Sequence, residues 1–395
     1  MAISTQRYAA LDVLRGMTVA GMILVNNPGT WSTIFPPLKH APWSGCTPTD
    51  LVFPFFLFIV GAALSFSFAK YNEQLNKKSF VKLAKRAALI FITGLALNAF
   101  PFYPTSPDPS LTSGENYMLF LNNLRIFGVL QRIALAYFVG GLIALWLQTP
   151  KKIIIGLLSV ITIHTLILAL FGTAEPFTLE GTITPQIDIA LIGESHIYHG
   201  YGIPFDPEGL LGVISGSGTV LLGFLIGGLI RRKENKSEAV SQLYTTGLML
   251  LAAGIVFSIY LPINKPMWTG SYVLYAGGWA TLMLALFIYF IDIKGKENIF
   301  KPFKALGMNP LSQFLLGGNF AHLLGRVIKL STVVLNDDGT FSEKTVSASS
   351  WFYMHVCVPV LGNNEFGSLM FALIYVAVFT SMAMYLYKKK IIIKL

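Results

Sequence analysis

Charge is scarce in this chain. Aspartate, glutamate, lysine and arginine make up 12% of its 395 residues, where a soluble protein carries roughly 25%. That deficit excludes an ordinary water-soluble domain, because too few side chains remain to cover a hydrated surface. Cysteine is nearly missing as well: Cys46 and Cys357 give neither a disulfide framework nor a zinc pattern. No cleavable leader is expected. The first apolar run begins around Leu11, contains Asp12 and Arg15, and has no small-residue cleavage site.

What fills the chain is apolar, 54% of it, in continuous runs. A run of about 20 apolar residues crosses a bilayer as a helix, and a helix satisfies its own backbone where lipid offers no partner. A barrel would alternate polar and apolar residues in segments of roughly ten. The expected fold is therefore an all-α polytopic integral membrane protein, one transmembrane unit over 1–395 with about ten spans. These are read at 10–27, 49–69, 83–103, 122–147, 152–171, 210–230, 242–262, 271–291, 305–329 and 366–387. The ninth contains Pro310, Gly317, Gly318 and His322, which marks it as broken or re-entrant.

The net charge of +10 would point to nucleic acid in a soluble protein. Here the basic residues lie in short loops between apolar runs, so topology accounts for them and no nucleic-acid partner is expected. One set of segments holds Arg7, the 70–86 stretch, Lys151 and Lys152, the 231–236 stretch, the 294–304 stretch and Lys388, Lys389, Lys390 and Lys394. The opposite set holds only Lys39, Arg125, Lys265, Arg326, Lys329 and Lys344. The positive-inside rule then puts both termini in the cytoplasm. Three long connections, 28–48, 172–209 and 330–365, fall on the other face, where binding chemistry built from loops is expected.

Charges inside spans are costly and are candidates for function. Asp12 and Arg15 share a helix face as a helix-end ion pair or a binding group. Arg125 and Arg132, seven apart, are read onto one face of the fourth span, as structural partners or anion ligands. Asn26 and Asn27 end the first span, either as caps before Pro28 and Gly29 or as amide donors to an oxyanion. His40 precedes a Pro-, Trp- and Gly-rich stretch leading to Asp50. A histidine there suits a general base or nucleophile, with Asp50 either orienting its ring or capping its own helix. His196 and His199 lie in an acidic loop without a third histidine nearby, so no metal is expected.

Eight short motifs in order resemble the heparan-α-glucosaminide N-acetyltransferase family of transmembrane acyltransferases. They include Leu11-Asp12-Val13-Leu14-Arg15-Gly16, Val25-Asn26-Asn27, His40-Ala41-Pro42-Trp43-Ser44-Gly45 through Asp50, and Leu124-Arg125-Ile126 with Gln131-Arg132. Further along come His196-Ile197-Tyr198, Asp206-Pro207-Glu208-Gly209, Asn264-Lys265-Pro266-Met267-Trp268 through Tyr272, and Gly307-Met308-Asn309-Pro310. The resemblance implies acetyl transfer from cytosolic acetyl-CoA, a co-substrate, to the amine of a terminal glucosamine such as that of heparan sulfate. The family's catalytic histidine falls on His40 and its partner asparagine on Asn26. Arg15, Arg132 and Arg125 are then expected to hold CoA phosphates near the cytoplasmic mouth. Trp43, His196, Glu208, Trp268 and Tyr272 are expected to bind the sugar. The eukaryotic members have an extra lumenal domain and one more span. The expected location here is a bacterial inner membrane with His40 facing the periplasm, and a homodimer is an expected assembly. Two rivals share much of this pattern: a sugar permease, and an O-acyltransferase of an envelope glycan.

Overall fold

A computed structural model describes residues 8–71, 73–335 and 341–393. Arg7 and Lys394, both used in the charge count, lie outside these. The helices are α1 Ala9–Asn26, α2 Pro48–Phe68, α3 Lys77–Ala99, α4 Ser113–Asn122, α5 Val129–Leu147, α6 Pro150–Phe171, α7 Thr184–Ile192, α8 Leu211–Arg232, α9 Lys236–Phe257 and α10 Gly270–Phe287. Then follow α11 Lys301–Met308, α12 Pro310–His322, α13 Ala348–Phe352, α14 Val358–Leu361 and α15 Glu365–Lys388.

Among the described residues, eight helices are long and apolar enough to cross a membrane, against the ten spans expected. The two shortfalls have distinct causes. Helix α3 is 23 residues long, about 34 Å at 1.5 Å per residue. Its first half carries Lys77, Lys78, Lys82, Lys85 and Arg86, so only its second half is apolar. The ninth span is divided at Asn309 into α11 and α12, as its proline and glycines foretold. The fourth span starts later than expected, at Val129. The preceding residues 123–127 are held as irregular backbone because the Asn98 amide donates to Arg125 O (2.9 Å) and Phe127 O (3.0 Å). A further correction falls in the 330–365 connection, which contains an antiparallel hairpin, β1 Lys329–Leu335 with β2 Phe341–Ser347, Lys329 facing Ser347.

The bundle is welded by backbone-to-backbone contact. A Cβ on Gly61 would lie 2.1 Å from Val220 O, and one on Gly223 would lie 2.0 Å from Phe58 O. Glycine alone lets α2 and α8 approach this closely, the device by which small residues pack membrane helices. Gly16 and Gly307 do the same for α1 and α11, where a Cβ would meet Phe303 O at 1.7 Å and Asp12 O at 1.8 Å.

Charge pairs and loop contacts define two ends. At one, Glu73 pairs with Arg231 and, at 3.3 Å, with Arg232, and Lys236 pairs with Asp292 at 3.6 Å. Tyr8 and Ile393 are at this end too, through Tyr8 Oη to Ile230 O and Ile393 N to Asn309 Oδ1. The first and last described residues thus share an end, as the even-numbered topology requires. At the other end the 28–48, 123–128, 172–209 and 258–269 connections converge. Trp43 Nε1 donates to Phe177 O (2.8 Å) and Asn264 Nδ2 to Trp43 O (3.1 Å).

Candidate active site

The converging connections enclose a cavity of about 320 Å³ lined by His40, Trp43, Asp50, Arg125, Tyr198, Tyr201, Glu208 and Lys265, among others. Its geometry starts from the first turn of α2. Pro48 stands at the first helical position, where the missing N–H costs nothing. Asp50 Oδ2 accepts from Thr47 N (3.1 Å) and Ala41 N (3.0 Å), while the Thr47 hydroxyl gives its hydrogen to Lys39 O (2.7 Å). The other oxygen, Oδ1, faces His40 Nδ1 at 2.6 Å and Lys265 Nζ at 3.4 Å. The carboxyl is therefore both helix cap and ring partner, two roles the sequence reading had set as alternatives.

The tautomer follows from this arrangement. A carboxylate receiving these donors has none of its own to offer, so the hydrogen between Asp50 and His40 sits on Nδ1. Nε2 is left with its lone pair. The His40 side chain is about half exposed, whereas that of Asp50 is buried, so the ring presents Nε2 toward the cavity from a fixed base.

Across the cavity Arg125 forms a two-carboxylate clamp. Its Nε and Nη2 reach Asp206 (2.9 and 2.7 Å), and Nη2 also reaches Glu208 (2.5 Å). Burial works against its charge, but Asp206 and Glu208 outweigh burial and push the Arg125 pKa up. Arg125 also covers the Tyr198 ring at 4.8 Å. Its placement here corrects the reading that set it on a common helix face with Arg132 and assigned it to CoA at the other end. The Asn98-held bend removes it from the helix, and its fork is taken by carboxylates.

Arg132 is corrected as well. Because α5 begins at this end, Arg132 lies one turn below the cavity and not at the opposite mouth. It is fully buried, donates to Gly209 O (2.7 Å) and lies over the Trp268 ring at 5.4 Å. Asp188, also fully buried, accepts from Leu210 N (2.8 Å). Burial pushes its carboxyl up to about 6, against the opposing Leu210 bond and Arg132 charge.

Of the proposed sugar-binding residues, Trp43 and Glu208 line the cavity. Trp43 is held edge-on by Tyr201 and Phe205 (ring centroids 6.0 and 5.3 Å). Trp268 and Tyr272 do not qualify. Both are wholly buried, and each is tied inward, Trp268 Nε1 to Thr219 Oγ1 (3.1 Å) and Tyr272 Oη to Asp50 O (2.6 Å). Their rings pack on one another, so neither offers a face to a sugar. His196 is likewise structural, with Nδ1 on Leu124 O (2.7 Å) while its own carbonyl accepts from Ile126 N (3.2 Å).

Asn26 is exposed at the end of α1 and is not among the residues lining the cavity. Leu24 and Val25 do share a small crevice with Leu38, which brings that helix end beside the His40 segment. Asn27 is a cap, donating to Ile23 O (2.8 Å). Arg15 pairs with Asp12 (3.1 Å), reaches Gly307 O (3.3 Å), and lines a second cavity of about 320 Å³ toward the other end. Arg86, Phe56, Val60, Leu130 and Ile393 share it.

The residue that sequence reasoning passed over is Lys265. In the sequence it reads as an outer-loop charge and as part of a motif, without a role. The signal available was its place between Asn264 and Pro266 in that motif. Only the fold shows that this loop lands on Asp50.

Residues 7–192 match the family model described as heparan-alpha-glucosaminide N-acetyltransferase, catalytic. The motifs and this match point to the same family. His40, Asp50 and Arg125 fall inside the matched segment; Glu208 and Lys265 lie beyond it. Two curated relatives carry the name heparan-alpha-glucosaminide N-acetyltransferase. The one from Mus musculus is 25% identical over 363 residues, covering 78% of this chain and 53% of the relative. The one from Homo sapiens is 26% identical over 358 residues, covering 77% and 52%. The chain thus spans about half the length of the curated relatives it matches.

Proposed function

We propose that the protein is a transmembrane acetyltransferase that moves acetyl from acetyl-CoA on the cytoplasmic side to the amine of a glucosamine-like sugar in the His40 cavity. The observation that carries this reading is the Asp50–His40 pair at 2.6 Å, with Nε2 open to a cavity of sugar size. The family match and the relatives' names support the same chemistry.

The acceptor amine attacks the thioester carbon and its proton passes to His40 Nε2. The carbon–sulfur bond breaks, and the imidazolium returns the proton to the departing CoA thiolate. Asp50 keeps Nδ1 protonated throughout. The resemblance assigns Asn26 as amide donor to the thioester oxygen; it stands outside the cavity lining, at a helix end that packs beside the His40 segment, so the acetyl donor would have to reach it from that side. CoA occupies the second cavity, its phosphates near Arg15 and Arg86 and its pantetheine arm running between α2 and α5. Consecutive residues support that path, since Val129 lines the His40 cavity and Leu130 the other. On α2, Asp50 and Phe56 line the two cavities, a rise of about 9 Å. A donor and an acceptor on opposite faces are what the charge asymmetry of the loops favours, with the His40 cavity toward the periplasm of a bacterial inner membrane.

The test is acetyl-CoA-dependent labelling of glucosamine by purified protein beside His40→Ala. The wild type should label the sugar and the variant should not. Equal labelling by His40→Ala would remove the histidine mechanism, and sugar uptake into liposomes without acetylation would favour a permease.

A further inference from the structure

The His40–Asp50 pair has a third member. Lys265 Nζ lies 3.1 Å from His40 Nδ1 and 3.4 Å from Asp50 Oδ1, so three groups meet around one carboxylate oxygen. Nδ1 carries one hydrogen, and the shorter contact assigns it to Asp50. The Lys265 ammonium then forms an ion pair with Asp50 and stands against the ring as a cation, since an ammonium has only hydrogens to offer an Nδ1 that is already protonated.

A lysine on a surface loop samples many positions. This one does not, because its loop is stapled to the His40 segment twice. Asn264 Nδ2 donates to Trp43 O (3.1 Å), and Gly45 N donates to Ile263 O (2.7 Å). Inside the loop, Met267 N bonds Asn264 Oδ1 (2.8 Å) and Trp268 N bonds Lys265 O (3.0 Å). Trp268 completes the turn at φ +56°. A bulky side chain rarely adopts that left-handed conformation, and such strain persists where the surroundings enforce it. The Lys265 side chain is only 19% exposed.

We infer that Lys265 is a positioning residue for the acetyl transfer: it occupies the cation site on Asp50 and restrains the charge that His40 can hold. The inference rests on the reading of His40 as the base. Without Lys265 the Asp50 carboxylate would act on the ring unopposed, and the imidazolium would be favoured over the neutral base. The other titratable groups lining the cavity are Arg125, Tyr198, Tyr201 and Glu208, with Asp206 behind Arg125, Tyr272 beneath Asp50, and the Cys46 thiol close enough to feel Asp50 and Lys265. Arg125 is already matched by Asp206 and Glu208, so Lys265 is the cation that balances Asp50.

The experiment compares wild type, Lys265→Met and Lys265→Arg, measuring kcat and KM from pH 5.5 to 9.5 with acetyl-CoA and glucosamine. In parallel, the histidine ring-nitrogen NMR signals are titrated without substrates, His40 being assigned by its loss in His40→Ala. A charge at this distance shifts a titration by about one pH unit in bulk water and by more in a partly buried site. The Met variant should therefore move the acid limb of the profile, and the His40 NMR titration, to higher pH by at least that amount. Its kcat should fall on the acid side of the profile, approaching tenfold per pH unit of displacement, and meet wild type on the alkaline plateau. The Arg variant should restore both curves. A Met profile that superimposes on wild type, or a uniform loss at every pH, would overturn the inference, as would an unmoved NMR titration. A wild-type profile whose acid limb does not depend on His40 would instead overturn the mechanism on which the inference stands.

Discussion

Replacing Asp50 by asparagine separates the two tasks of this side chain. Two backbone donors converge on Oδ2, from Ala41 N at 3.0 Å and Thr47 N at 3.1 Å. The amide oxygen will take that position, because the alternative sets an NH₂ group against both backbone N–H groups. The cap is then retained, and with it the roughly 1 kcal/mol that a helix cap contributes. The amide NH₂ consequently replaces Oδ1 and points a donor at His40 Nδ1, which lay 2.6 Å from a carboxylate oxygen. The ring must answer with a lone pair there and carry its hydrogen on Nε2, where the mechanism needs a base. A wrong-tautomer histidine costs about 10⁴ in kcat in hydrolases that use a comparable Asp–His pair, equivalent to about 5 kcal/mol of transition-state stabilisation. The assay is acetyl transfer to glucosamine, with kcat and KM taken separately and the thermal midpoint measured on the same preparation. The expected result is a kcat loss of 10³ to 10⁴ with the midpoint within a few degrees of wild type. A kcat within tenfold of wild type, in a background where His40→Ala is inactive, would refute the argument that Asp50 selects the tautomer.

Two further outcomes follow from groups nearby. Asp188 is fully buried, and its carboxyl is raised from 3.8 to about 6, so the fold favours its protonated form. That contribution, about 3 kcal/mol by linkage, is complete below pH 4 and is lost as the pH rises through 6. Thermal unfolding in detergent should therefore show a loss of stability between pH 4 and pH 6 that Asp188→Asn lacks; an identical slope in both proteins would contradict it. Arg86 lines the second cavity and lies over the Tyr137 ring at 5.5 Å. A lost charge-assisted contact to phosphate is worth about 1.5–3 kcal/mol, so Arg86→Gln should raise the KM for acetyl-CoA about 10- to 100-fold with the sugar KM unchanged, and an unchanged donor KM would place the phosphates elsewhere.

The membrane class was legible because it is a property of composition, and composition survives any rearrangement of the chain. The grouping of loops into two faces was legible for the same reason: each lysine or arginine reports its own side. What escaped the sequence was depth and partnership. Arg125 and Arg132 satisfy a seven-residue helical spacing, yet the Asn98 amide holds the backbone before Val129 out of the helix. Trp268 and Tyr272 read as interfacial aromatics, but Phe53 and Thr219 close over Trp268 from helices distant in sequence. His40 and Asp50, ten residues apart, were found because one short segment holds both. Lys265 meets them from 225 residues away, a contact no local pattern encodes. Span count suffered for a different reason: α3 places its basic half at one end, so its average conceals a helix of crossing length.

The glycine weld between α2 and α8 has a consequence for motion. With carbonyls in the place of a missing Cβ at Gly61 and Gly223, these two helices cannot slide or tilt against each other without breaking close contact along their length. They form a fixed post, with Asp50 at its head on one helix and the Asp188-bound Leu210 at the head of the other. On the opposite side the 198–208 strip lines the cavity with Tyr198, Gly200, Tyr201 and Glu208 and is tied to the 123–127 bend by Arg125 through Asp206 and Glu208. A spin-label pair spanning α2 and α8 should therefore keep a constant distance whatever occupies the cavity, and a change in that distance would contradict the weld.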